Sequence, residues 1–85
     1  MKLDCGIQKA RIDAWLADEL ALAYADGRWL FHCNGATCSV ATVELENRVL
    51  GAFSLERTEL RVEGGPAAIE EFMRLFTLRF MSAGG

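Results

Sequence analysis

The stretch LALAYADGRWLFHCNGATCSV, residues 20–40, decides how the chain folds. It holds two short turn signals, Asp26-Gly27 and Asn34-Gly35, each between apolar runs and eight residues apart. Asp-Gly and Asn-Gly are the residues a two-residue type I′ turn demands, because both central positions need positive φ. Two such turns in succession predict a meander, and its register can be tested. With Asp26-Gly27 as the turn, Tyr24 lies opposite Trp29, Leu22 opposite Phe31 and Leu20 opposite Cys33. With Asn34-Gly35 as the second, Phe31 lies opposite Cys38 and Trp29 opposite Val40. Opposed residues share a face, so every large side chain of the first hairpin except Leu30 gathers on one side. A slip of one residue in either turn would scatter them.

Working outward, strand is expected from Leu20 to Ala25, from Arg28 to Cys33 and from Ala36 to about Leu45. Val43 and Leu45 have the opposite parity to Cys38 and Val40, which predicts a β-bulge near Ala41-Thr42. A loop at Glu46-Asn47-Arg48 leads into a fourth strand, Val49 to Leu55, with Val49, Gly51, Phe53 and Leu55 inward. A turn at Glu56-Arg57 leads into a fifth, Thr58 to Glu63, with Phe53 opposite Leu60 and Gly51 opposite Val62. Upstream, Ile12, Trp15 and Leu16 keep helical spacing, which predicts a helix over about 7–19; Met1 to Cys5 could add an edge strand ended by Gly6. Downstream, Gly64-Gly65-Pro66 ends the sheet, and Pro at a first helical position opens a helix running to about Met81. Its stripe Ile69, Phe72, Met73, Phe76 and Phe80 is expected to fill the cup of the sheet. The fold class is therefore α+β: an N-terminal helix, a five-stranded antiparallel β-meander and a C-terminal helix, both helices on one face, in a single domain spanning 1–85.

Composition narrows the function classes. Eighty-five residues allow one modest core, yet apolar residues make up 52% of the chain, more than a domain of this size readily hides. Surplus apolar surface points to a partner or a second copy. The net charge is −3, and the arginines are scattered from Arg11 to Arg79 without a basic stripe, which argues against nucleic acid. No apolar run approaches the roughly 18 residues of a membrane span, and Met1 to Cys5 lacks a signal-peptide core. Three cysteines without a secreted-domain spacing fit reduced thiols, so a cytoplasmic protein is expected.

Sites of chemistry are sparse. His32, Cys33, Cys38 and Cys5 are residue types that zinc takes, but alternation sends His32 to the opposite face from Cys33 and Cys38, so the cysteines read as small core hydrophobes. His32 has Thr37 across the turn and no polarising carboxylate. The order of residues contains no catalytic triad, phosphate-binding glycine loop or spaced carboxylate pair, and Glu70-Glu71, Glu44 and Glu46 read as solvated charge. No catalytic, cofactor-binding or metal-ligating residue is assigned.

Three functional readings remain. The first is a non-enzymatic protein-interaction module that forms a homodimer. Leu75, Leu78 and Met81, off the inward stripe of the last helix, are its expected interface. The second is a binder of a small hydrophobic ligand between sheet and C-terminal helix, by analogy with larger meanders wrapped around a helix. The third is a carrier: the terminal Gly84-Gly85 resembles the tail of small ubiquitin-like sulfur carriers, which implies activation of the C-terminus by a partner enzyme. Those carriers begin with a hairpin and keep their helix in the middle, whereas helices flank the sheet here.

Overall fold

The computed structural model describes residues 1–81. Strands β1 (Lys2–Cys5), β2 (Ala23–Ala25), β3 (Arg28–Cys33), β4 (Ala36–Leu50) and β5 (Phe53–Gly64) form one antiparallel sheet in the order β1-β5-β4-β3-β2. Helix α1 (Lys9–Ala14) passes into a π-helical turn, Trp15–Glu19, and helix α2 spans Pro66–Phe80. The chain is thus α+β. β2 to β5 form a meander, and β1 is added at its far edge.

Both quoted turns form as their chemistry requires. Asp26 and Gly27 take φ of 52° and 77°, and Asn34 and Gly35 take 47° and 79°, the paired positive values of type I′ turns. Tyr24 lies opposite Trp29, Trp29 opposite Val40 and Phe31 opposite Cys38, the register expected from the sequence.

The strand expected from Leu20 is shorter. Leu20 to Leu22 belong to the end of the helical segment: Ala21 takes a left-handed φ of 51°, and the Leu22 N–H donates to Leu16 C=O at 3.0 Å. A left-handed residue followed by a long return bond is how helices commonly stop, and here the bond reaches one residue further because it closes a π-helical turn. Leu22 and Leu20 therefore do not pair with Phe31 and Cys33.

Beyond Val40 the expected strands are corrected. β4 runs unbroken for 15 residues, so there is no loop at Glu46-Asn47-Arg48 and no turn at Glu56-Arg57. The reversal is at Gly51-Ala52, between Leu50 and Phe53. Gly51 takes φ +62° and Ala52 does not turn positive, the pattern of a two-residue turn with Gly in first place. The ladder is regular through Ala41 and Thr42, opposite Arg61 and Leu60. Its irregularity lies between Leu45 and Arg48, where Glu46 and Asn47 oppose Glu56 alone, a bulge on β4. Val62 faces Val40 and Leu60 faces Thr42, in place of Gly51 and Phe53. The sheet keeps five strands only because β1 adds one while the three expected strands from Ala36 to Glu63 become the two strands of one long hairpin.

One core holds these elements together. Ile12, Trp15 and Leu16 from the first helical segment and Ala68, Phe72 and Phe76 from α2 are buried with Phe31, Cys38, Val40, Leu60 and Val62. Phe72 has ring neighbours on three elements: Trp15 at 5.7 Å, Phe31 at 5.5 Å and Phe76 at 6.4 Å. The long side chains at the ends of this stack, Met73, Leu75 and Phe80, are partly buried against it. Polar pins fix α1 to the sheet: Thr42 Oγ1 donates to Asp13 Oδ1 at 2.6 Å, and buried Thr58 Oγ1 donates to Ile7 C=O at 2.6 Å. The Cα radius of gyration is 13.4 Å and the long axis 47 Å. A compact chain of this length would have a radius of about 12 Å. The excess is β4, since fifteen residues at about 3.3 Å each reach roughly 50 Å.

Candidate interaction surface

The far half of the β4–β5 hairpin leaves the body of the sheet. β3 pairs with β4 no further than Val40, opposite Trp29, and β1 pairs with β5 no further than Thr58, opposite Cys5. Past those points the arm is a two-stranded ribbon, with Leu45 opposite Arg57, Arg48 opposite Leu55, Val49 opposite Ser54 and Leu50 opposite Phe53. Parity places Leu50, Phe53 and Leu55 on the face away from Val40 and Leu60, in line with Val43 and Leu45. Val49 points to the other face with Ser54.

These arm residues are exposed: Phe53 by 74%, Val49 by 70%, Leu50 by 52% and Leu55 by 48%. Val49, Phe53 and Leu55, expected inward, are not: Phe53 and Leu55 lie on the opposite face, and Val49 is exposed although it keeps the face of Val40. An alternating strand normally has one dry face, but that rule needs something packed on it, and Val49, Leu50, Phe53 and Leu55 all stay exposed. Four large apolar side chains within seven residues, on a ribbon that no third strand covers, differ from the singly scattered apolar residues normal on surfaces.

The three residues expected as an interface on α2 differ in exposure. Leu75 packs partly against the core, whereas Leu78 and Met81 are 59% and 52% exposed. They form a smaller patch, next to Arg79, whose guanidinium lies 4.9 Å from the Phe80 ring and bonds Glu19. The carrier tail, Gly84 and Gly85, lies outside the described residues.

Of the hollows that border the arm, two contain an ion pair. One, of about 290 Å³, sits where β1 ends, lined by Asp4, Gly6, Arg48, Leu55 and Arg57. The Arg57 guanidinium bonds the Asp4 carboxylate there, and that hydrogen bond holds Asp4 below the usual carboxylate range. The other, of about 370 Å³, runs between α1 and the arm and includes Lys9, Asp13, Glu44 and Glu56. It is polar, and its Lys9–Asp13 pair at 2.6 Å is satisfied within the helix. Among the described residues no three His, Cys, Asp or Glu side chains come together as metal ligands would.

Of the remaining reactive groups, Cys33 is a partly exposed free thiol. His32 is exposed, with Nδ1 2.9 Å from Thr37 Oγ1. Cys5 and Cys38 are buried, and burial pushes both thiols up from their ordinary pKa. The space between sheet and α2 is filled by Phe72, Phe76, Val40 and Val62, all fully buried. No helix among the described residues is long and apolar enough to cross a membrane. Comparison with protein-family models, with curated proteins and with solved structures gives no match to this chain.

Proposed function

We propose that the protein is a small non-enzymatic interaction module that associates with a second copy of itself through the β4–β5 arm. In this reading both helices cover the sheet face that carries Val40, Leu60 and Val62, and the arm is left to make the contact. The observation that carries it is the exposure of Val49, Leu50, Phe53 and Leu55 on a ribbon with no third strand. An isolated two-stranded hairpin is marginal in water, and each large apolar side chain left in water forgoes roughly 1.5–3 kcal/mol of burial. Leu50, Phe53 and Leu55 share one face of the ribbon and Val49 lies on the other. The second copy brings the same patch, and a two-fold arrangement needs no other specificity. The burial of Cys5 and Cys38 and the simply paired His32 favour binding over chemistry, and three free thiols suit a reducing cytoplasmic setting.

Sedimentation at tens of micromolar tests this. Wild type is expected as a dimer, Phe53→Glu as a monomer, and Leu78→Glu as a dimer. A monomeric wild type, or a Phe53→Glu protein sedimenting like wild type, refutes the arm as interface. Dissociation by Leu78→Glu alone moves the interface to the outer side of α2.

A further inference from the structure

We infer that two copies meet face to face: the arm surface carrying Leu45, Leu50, Phe53 and Leu55 packs on the same surface of a second copy, about a two-fold axis over Leu55. The inference rests on the homodimer reading above and adds its geometry. The first support is the uncovered face. Leu60 and Val62 of β5 are buried in one core with Phe72 and Phe76 of α2, and Phe53, Leu55 and Arg57 have the opposite parity. On β4, Leu50 lies opposite Phe53, Arg48 opposite Leu55 and Leu45 opposite Arg57. These six side chains therefore share the face that the helices leave open. A sheet face is closed by a second sheet laid about 10 Å over it with strands nearly aligned. Packing of this kind covers Leu50, Phe53 and Leu55 together and needs no free strand edge.

The second support is register. An axis across the strands over Leu55 lays the rows of one arm on those of the other in reverse order. The row of Leu50 and Phe53 falls on the row of Leu45 and Arg57 in the second copy, and Leu55 falls on Leu55. Leu50 then meets Leu45, and the Phe53 ring meets the Arg57 guanidinium, an attractive pairing of ring face and cation. That guanidinium already bonds the Asp4 carboxylate, so the ring covers a neutralised pair. An axis one row nearer the body would set Leu55 on the Glu59 carboxylate, and one row nearer the tip would leave Leu45 uncovered. The third support is room. The hollow of about 290 Å³ lined by Asp4, Gly6, Arg48, Leu55 and Arg57 adjoins Arg57, where the ring of the second copy arrives. Gly6 contributes no side chain to fill it. The two Arg48 side chains are the one like-charged pair near the axis, and each shares its hollow with Asp4.

Sedimentation of Leu45→Glu and Val49→Glu over a concentration series tests the face. Leu45 lies on the contact face and is partly buried, whereas Val49 lies on the other face and is 70% exposed. Leu45→Glu places a carboxylate against Leu50 of the second copy and is expected to raise the dimer dissociation constant by about tenfold or more. Val49→Glu is expected to change it by less than about twofold. The register is tested on the wild type, in a dimer mixed from isotope-labelled and unlabelled chains. Filtered NOEs are expected between the methyl groups of Leu50 and Leu45 and between the Phe53 ring and the Arg57 side chain. A dimer that Val49→Glu dissociates and Leu45→Glu does not, or one that lacks these NOEs, overturns this face and register and leaves the homodimer reading standing. A monomeric wild type overturns both.

Discussion

Phe72→Ala is expected to lose about 3–5 kcal/mol of stability, the usual cost of emptying a buried aromatic site. Phe72 is fully buried and meets Trp15 of the first helical segment, Phe31 of β3 and Phe76 of α2. No one of these neighbours can move into the gap without leaving a contact on another element, so the cavity stays open. A domain of this size has roughly 4–13 kcal/mol in total, and each kcal/mol shifts Tm by about 4–8 °C. Thermal unfolding followed by circular dichroism should show Tm lowered by about 15–30 °C, or no cooperative transition. A shift of only a few degrees would mean that the three elements do not close around this ring.

Gly64→Ala should be nearly as costly for a different reason. Gly64 ends β5 at φ +137°, opposite Cys38. A Cβ there would stand 2.5 Å from Thr37 O and 2.6 Å from Cys38 Cα. Those are backbone atoms of a paired strand, and the next residue is tied to the same carbonyl by the Gly65 N–H at 3.0 Å. Backbone strain and overpacking each cost about 1–3 kcal/mol, so a loss of about 3 kcal/mol is expected in urea unfolding. Gly6→Ala is the control. It meets open space and should change stability by less than about 1 kcal/mol.

The parts of this fold that were legible in the sequence are those whose chemistry permits few conformations. Asp26-Gly27 and Asn34-Gly35 fix a type I′ turn and with it the register of Tyr24, Trp29, Phe31 and Cys38. Pro66 after two glycines marks the start of α2. Leu20-Ala21-Leu22 misleads because alternating Leu and Ala suits strand and helix end equally, and only the left-handed Ala21, a residue that rarely goes there, separates them. The arm misleads more seriously. Gly51-Ala52 is a turn signal, but it sits inside an alternating run, and alternation predicts a strand with one dry face. Val49, Phe53 and Leu55 look like core by type and period, and nothing in a one-dimensional pattern says that the strand has outrun the helices that would cover it. Val43 and Leu45 needed no bulge to explain their parity. They lie on the opposite face, in line with the arm's apolar side chains. The candidate surface was therefore visible as residues and invisible as a surface, while the surplus on α2 reduced to Leu78 and Met81.

Backbone amide exchange measured across a concentration series tests the role of the arm most directly. If the arm is the contact, the amides of Phe53 to Arg57 should slow as the protein passes from monomer to dimer, while those around Leu78 stay unchanged. Exchange in the arm that is fast and independent of concentration, or protection that appears on α2 instead, would contradict it.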